Sequence, residues 1–305
     1  MVKRIIGVDL GGTNLRVALL TQQYKIVDKY SLSTRKFEDK DGLISAILHA
    51  IDQIIENNDL AKANIVGVGL GLPGPVDTTR GIVHTFTNIP GWKEVNLKRI
   101  LEQKLDIPVR LDNDTNLMCL AEYRLGKAKG LKNVVCLTLG TGVGGGIIID
   151  GKLYRGSNFV AGELGHMPIN EEGPRCKCGG VACLEAYIGN SRIKSEAQKL
   201  FRRDISLEEL SALSKRGDAR ARYIWSELGR RLGIALVGAV NLLNPDAIVI
   251  GGGIANAGEV LFSTAKKTIA QRAMKVASRH VKVLKAQLGN DAGLIGAAIL
   301  VKEGA

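Results

Sequence analysis

Short aliphatic runs alternate with amphipathic stretches along the whole chain, as strands alternate with helices in an α/β protein. "RIIGVDLGGTNLRVALL" (4–20) reads as an apolar strand, a glycine turn and an apolar returning strand. "VVCLTLGTGVGGGIIIDG" (134–151) reads the same way. These two hairpins form a weak internal repeat and predict two related halves. Between them the pattern predicts helices at 41–57, 95–105 and from about Thr115 to Leu125, with strands at 65–73 and 108–114. The C-terminal half is mostly helical to Leu243. "DAIVIGGG" (246–253) then reads as a buried strand ending in glycines. The last helical stretch, 290–303, is rich in glycine and alanine and suited to close packing on either half.

Composition sharpens this picture. Of 305 residues, 45% are hydrophobic, only 4% are aromatic and 37 are glycine, which predicts an aliphatic core joined by many tight turns. The apolar runs are too short and interrupted to span a bilayer, so no membrane partner is expected. The chain opens on the strand-like "VKRIIGVDL" rather than a signal-peptide pattern, so a cytoplasmic location is expected. Five cysteines at uneven spacing argue against a disulfide framework. The formal charge of +12 raises the question of a nucleic-acid partner. Its basic residues are interspersed with acidic ones, as at 202–231, and no basic run is interleaved with aromatics. The expectation is therefore a solvated surface that attracts anionic ligands such as nucleotides, with no specific nucleic acid.

Three glycine turns have the chemistry of phosphate cradles, because without a side chain the backbone N–H groups can approach phosphate oxygens. In "DLGGTN" the donors are Gly11, Gly12, Thr13 and Asn14, and Asp9 could hold Mg²⁺ directly or through water. The second turn is Gly140, Thr141 and Gly142; the third is Gly251, Gly252 and Gly253. Any one of them reads equally well as a tight hairpin or a close strand–helix contact. Gly140, Gly142 and Gly145 even match G-x-G-x-x-G, but a strand, "IIID", follows where a dinucleotide site needs a helix. Three such turns, two on matching hairpins, point to a nucleotide clamp.

"RLDNDTN" (110–116) ends a strand and opens a helix. Asp114 stands where an N-cap would stand. It also stands where a general base would, at a strand end in an open α/β sheet, ready to take a hydroxyl proton as that oxygen attacks a γ-phosphate. Asp112 shares its face on a straight strand, and the chemistry of the residues leaves the choice between them open.

Cys176, Cys178 and Cys183 are spaced C-x-C-x₄-C, and His166 lies ten residues upstream. Three thiolates and an imidazole would make a closed, structural tetrahedral zinc site. Unliganded thiols in a glycine-rich loop are the alternative. A zinc site would fix "GELGH" (162–166) against the helix near "LEAY" (184–187) and bring Glu163, His166 and Glu185 together as acceptors for vicinal hydroxyls. Glu163 and Glu185 have the alternative of plain surface exposure, and Glu185 that of a first-turn helix charge. Cys119 and Cys136 lie in apolar contexts and are expected in the core.

The chain resembles the ROK family of sugar kinases, especially its glucokinase-type members. The resemblance runs from Val2 to about Gly296 and rests on "DLGGTN", "LGLPGPVD", "NIPGW", "DNDTN", "LGTGVGGGIIIDGKLYRG", "GELGH" and "CKCGGVACLE". The family pattern at the last motif is C-x-C-G-x-x-G-C-x-E; here Ala182 replaces the second glycine, which puts the local turn in question. The resemblance implies an actin-like fold of two α/β domains around a cleft, with nucleotide and sugar on opposite sides. The domains would be 1–117 plus 290–305 and 118–289, the final helix returning to the first. Asp114 becomes the catalytic base, settling the choice against Asp112. Gly74, Asn88, Asn113, Glu163, His166 and Glu185 become sugar contacts. His166, Cys176, Cys178 and Cys183 become zinc ligands, the two hairpin tips hold phosphates, and Gly251 to Gly253 lie near the adenosine. Implied with these are ATP, Mg²⁺, a structural Zn²⁺, a homodimer, and phosphorylation of glucose at its 6-hydroxyl. The alternatives are a kinase for N-acetylmannosamine, N-acetylglucosamine, mannose or fructose, and a sugar-sensing repressor of the same family. The repressor would carry an N-terminal helix-turn-helix, for which the strand beginning by Arg4 is expected to leave no room. An actin-like ATPase chaperone would leave the cysteine cluster unexplained.

Overall fold

The computed structural model describes residues 2–304 apart from Gly12, Thr13, Arg35, Lys36, Glu38, Thr87 and Asn88. The chain divides into two compact units. The first comprises residues 1–125, 152–161 and 290–305; the second comprises 126–151 and 162–289.

The first unit opens with β1 (Arg4–Leu10), β2 (Asn14–Thr21) and β3 (Ile26–Ser33). Helix α1 (Lys40–Glu56) follows, capped by Asp39, whose side chain accepts the Gly42 N–H. Its Leu43, Ile44, Ile47, Ala50, Ile51, Ile54 and Ile55 recur at helical spacing and form one buried face. Then come β4 (Ile65–Leu72), β5 (Val76–Asp77), β6 (Ile82–Thr85), β7 (Lys93–Asn96), α2 (Leu97–Leu105), β8 (Val109–Asn113) and α3 (Asp114–Arg124). The main sheet has the order β3-β2-β1-β4-β8, with β1, β4 and β8 parallel. Its carboxyl ends therefore carry Asp9, Leu72 and Asn113 on one edge, where open α/β sheets bind ligands.

The second unit begins with β9 (Val134–Leu139) and β10 (Val143–Ile149). After β11 (Lys152–Tyr154), which lies in the first unit's share of the chain, it continues with α4 (Leu184–Ile188), α5 (Asn190–Phe201), α6 (Leu207–Lys215) and α7 (Ala219–Leu243). It ends with β12 (Ala247–Gly251), α8 (Glu259–Arg272), α9 (Lys275–His280) and β13 (Lys282–Lys285). Strands β10, β9, β12 and β13 follow one another as β2, β1, β4 and β8 do, with the same hairpin and the same two parallel neighbours. The weak repeat of the sequence is thus a repeat of topology. Each unit has its own aliphatic core.

Helix α10 (Ala292–Glu303) belongs to the first unit, as the resemblance implied. Glycines on both sides let its backbone touch the sheet: a Cβ on Gly69 of β4 would lie 2.1 Å from the Ala297 carbonyl oxygen. The expected boundary at 117/118 is corrected, because it falls inside α3; Met118–Leu125 and 152–161 belong to the first unit. A cut there would sever a helix whose hydrogen bonds and buried face are continuous. Among the described residues, no helix is long and apolar enough to cross a membrane.

Candidate active site

In the first unit the β1–β2 hairpin sets Asp9 across from Arg16 in the ladder. Arg16 Nη2 donates to Asp9 Oδ2 at 2.7 Å, and its Nη1 donates to the Asn290 carbonyl. Burial raises the Asp9 carboxyl above the usual carboxylate range, and Arg16 offsets part of that rise. A Cβ on Gly293 would lie 2.7–2.9 Å from the Asp9 carboxyl atoms, so only glycine lets α10 come this close. At the tip, Gly11 N–H bonds the Asn14 carbonyl at 2.9 Å, which makes Gly11 part of a closed turn. The predicted donors Gly12 and Thr13, and the predicted sugar contact Asn88, lie outside the described residues.

The β8–α3 corner resolves the two aspartates. Asp112 is 1% exposed. Its Oδ2 receives Arg155 Nε at 2.9 Å and Nη2 at 2.6 Å. Its Oδ1 receives the Asn113 N–H at 2.7 Å and Asn116 Nδ2 at 2.9 Å. That carboxylate is committed to structure. Asp114 is partly exposed and its Oδ1 accepts the Thr115 N–H at 2.7 Å. One expectation is corrected here: the cap of α3 is Asn113, which accepts from Thr115 N and Asn116 N, and Asp114 is the first helical residue. The shift has a simple cause. The strand ladder runs through Asn113, paired with Leu72, so its extended backbone is what places a side chain for capping. Asn113 Nδ2 also donates to the Gly74 carbonyl at 3.2 Å, joining two of the predicted sugar contacts.

In the second unit the β9–β10 tip is closed by Gly140 N–H to the Gly142 carbonyl at 2.9 Å. Nothing lies within 4 Å of a Cβ built on Gly140, so its backbone is open to a ligand. Gly145 is different: its Cβ would meet the Gly162 carbonyl at 2.0 Å. The third glycine of the G-x-G-x-x-G match therefore serves packing on a strand. Gly251 pairs with Thr138, and Gly252, at φ +83°, packs on Leu139, so the third glycine run lies beside the root of this hairpin. A Cβ on Gly253 would meet nothing.

Glu185, on the first turn of α4, accepts the Val143 N–H at 2.9 Å. A Cβ on Gly142 would lie 2.5 Å from the same oxygen. Glu185 thus reaches the hairpin tip with one of its two carboxylate oxygens. Glu163 Oε2 is 3.8 Å from His166 Nε2. Burial raises the Glu163 carboxyl; His166 opposes that rise and Glu185 adds to it. The predicted trio is therefore assembled.

The other face of His166 meets the cysteines. Its Nδ1 lies 3.6 Å from Cys176 Sγ, Cys178 Sγ lies 3.8 Å from Cys183 Sγ, and the four ligand atoms are all within 4.8 Å of one another. Tetrahedral zinc requires edges of about 3.8 Å for S–S and about 3.6 Å for S–N, given bonds of about 2.3 and 2.0–2.1 Å. The Cys₃His group fits that metal. In the bare cluster burial pushes the Cys183 thiol up to about 12, while a backbone hydrogen bond at Gly180 lowers Cys178. The loop is tied as expected: Leu184 N–H bonds the Met167 carbonyl at 3.0 Å and Cys176 N–H the Gly180 carbonyl at 2.8 Å. Ala182, where the family pattern has glycine, holds φ +57° with its methyl fully buried. The left-handed turn survives the substitution, at a cost of about 1–2 kcal/mol set against the buried methyl.

A family model described as the ROK family matches residues 5–304. The chain belongs to the ROK family. Among its ROK relatives, a glucokinase of Halalkalibacterium halodurans is 36% identical, covering 98% of this chain and 94% of that one. A xylose repressor of Caldicellulosiruptor bescii is 29% identical over 98% of this chain and 78% of its own. The solved structure of a ROK family glucokinase from Streptomyces griseus, in complex with glucose and AMPPNP, matches at TM-score 0.86 and 33% identity, covering 99% of this chain and 100% of that one. The fold is the actin-like α/β fold of these ROK proteins.

Two residues central to this geometry, Arg16 and Arg155, were missed in the sequence. Arg16 had a signal, since it faces Asp9 in the hairpin register. Arg155 had none, because it meets Asp112 across 43 positions.

Proposed function

We propose that this chain is an ATP-dependent kinase of glucose, phosphorylating the 6-hydroxyl. The observation that carries the reading is the β8–α3 corner. Of two adjacent aspartates one is locked in an ion pair, and the other stands partly exposed at the carboxyl end of a parallel strand. Asp114 takes the proton of the sugar hydroxyl as that oxygen bonds the γ-phosphorus and the bond to the β-bridging oxygen breaks, giving sugar phosphate and ADP. Asn113, Asn88, Gly74, Glu163, His166 and Glu185 position the sugar. The carboxylates suit that task because they accept hydrogen bonds from vicinal hydroxyls, and the imidazole, with Nδ1 turned to the cysteines, would donate its Nε2–H to a hydroxyl oxygen. At the tips the Gly11 and Gly140 N–H groups close their own turns, so the donors for the phosphates would be those of Gly12, Thr13, Thr141 and Gly142, and Gly251 to Gly253 would flank the nucleoside. Asp9 would hold Mg²⁺, directly or through water, and the ion would neutralise phosphate charge. His166, Cys176, Cys178 and Cys183 would hold zinc, which would stiffen the loop bearing Glu163.

The glucokinase names among the relatives, and the glucose and AMPPNP in the Streptomyces griseus structure, support this reading. The test is a coupled assay at fixed ATP across glucose, mannose, fructose, N-acetylglucosamine and N-acetylmannosamine. Glucose is expected to give the highest kcat/KM. An N-acetyl sugar in first place would move the reading to an N-acetylhexosamine kinase. No turnover with any sugar, together with salt-resistant shift of a DNA duplex, would move it to a repressor.

A further inference from the structure

We infer that Arg155 is a positioning residue for the catalytic base, acting through Asp112. The inference rests on the kinase reading above and on geometry within the first unit. Asp112 receives four hydrogen bonds, and each comes from a part of the corner that must hold still. Asn113 N–H belongs to the Asp112–Asn113 peptide, one residue before Asp114. Asn116 Nδ2 belongs to the first turn of α3. The two bonds from Arg155 come from the 152–161 segment and converge on Oδ2. The Asp112 side of the ion pair is buried at 1% side-chain exposure, and Arg155 is largely covered at 16%. A pair of this kind gains little net stability over an apolar replacement, but removing the cation leaves a buried charge uncompensated. The Asp112 carboxylate would then turn to find another partner and release the Asn113 peptide. Asn113 in turn caps α3 and holds the Gly74 carbonyl, so a disturbance at Asp112 reaches the backbone of Asp114 directly.

The segment that carries Arg155 is itself closed. The Arg155 carbonyl accepts the Ala161 N–H at 3.0 Å, around Gly156 at φ +73°. Glu163 follows two residues after Ala161. The residue that locks Asp112 therefore also anchors the turn from which the sugar-binding loop departs. A guanidinium is needed because its planar fork delivers two donors to one carboxylate; an ammonium delivers a point charge.

The experiment compares wild type with Arg155→Met, Arg155→Lys and the paired Asp112→Asn/Arg155→Gln, measuring kcat, glucose KM, calorimetric glucose affinity and melting temperature. Arg155→Met is expected to lower kcat about 100-fold, as misplacement of a reacting group by about 1 Å does, with a smaller loss of glucose affinity. Arg155→Lys should recover part of the loss in kcat. The paired variant buries no charge and should recover melting temperature more fully than kcat, which stays about 10-fold low. Wild-type kcat in folded Arg155→Met, or in the paired variant should Arg155→Met fail to fold, would overturn the inference while leaving the kinase reading intact. Wild-type protein inactive on every sugar would overturn both.

Discussion

Behind the first hairpin tip stands Asp9, held by Arg16 directly across the β1–β2 ladder. Behind the second stands Glu185, brought to Val143 from another element 42 positions along the chain. The two hairpins share topology and glycine tips, yet one carboxylate is secured by its own strand pair and the other by tertiary packing. The root of the second hairpin repeats the pattern, because Asp246 Oδ2 accepts the Lys132 and Asn133 N–H groups across 114 and 113 positions. A locally secured group forms whenever its hairpin forms. A distantly secured one forms only when the hairpin and the helix that bears Glu185 are both in place.

The sharpest break of the comparison lies at the β8–α3 corner of the first unit. Asp114→Asn should lower kcat by about 10³-fold, the range expected for loss of a general base, while glucose and ATP binding persist in calorimetry. More than a tenth of wild-type turnover would reduce Asp114 to a helix residue. The next effect belongs to the second unit. Protein purified without chelator should carry one zinc per chain by elemental analysis, and Cys176→Ala should abolish it. Hydrogen exchange should then open amides from Gly162 to Leu184 and leave those of β1 and β2 protected; equal opening of both would erase the contrast. Glu185→Gln should raise the glucose Kd about 10–100-fold, since charge-assisted hydrogen bonds contribute about 1.5–3 kcal/mol.

The smallest effect is a pH dependence at Asp246. Backbone hydrogen bonds from Asn133 and Lys132 hold its carboxyl below the usual range. A lowered folded value means stability that is present above the unfolded value and is lost as pH falls through the folded one. Melting temperature should therefore drop on acidification more steeply in wild type than in Asp246→Asn. Parallel acid profiles would show that this distant carboxylate contributes nothing.

The helices and strands were legible where periodicity was strong. Helix α1 lies within one residue of its predicted ends, because seven buried aliphatics and an Asp39 cap agree on one face. The Cys₃His cluster was legible because its ligands sit close in sequence and share one chemistry. The choice between Asp112 and Asp114 was not legible in the chemistry of the residues, since strand alternation gives both the same face, and rested on the family resemblance. The structure adds the partner of Asp112, which lies in a distant segment. The domain boundary failed for a related reason: contacts, not motif edges, decide where a unit ends, and α3 is one continuous hydrogen-bonded rod.

From sequence alone came the α/β class, the paired hairpins, the candidate metal ligands and the short list of acids, since each is written in one short segment of the chain. The tertiary structure decided which acid is buried in an ion pair and which is partly exposed. A carboxylate's role depends on the donors that surround it, and for Asp112 and Glu185 one donor residue each, Arg155 and Val143, arrives from more than forty positions away.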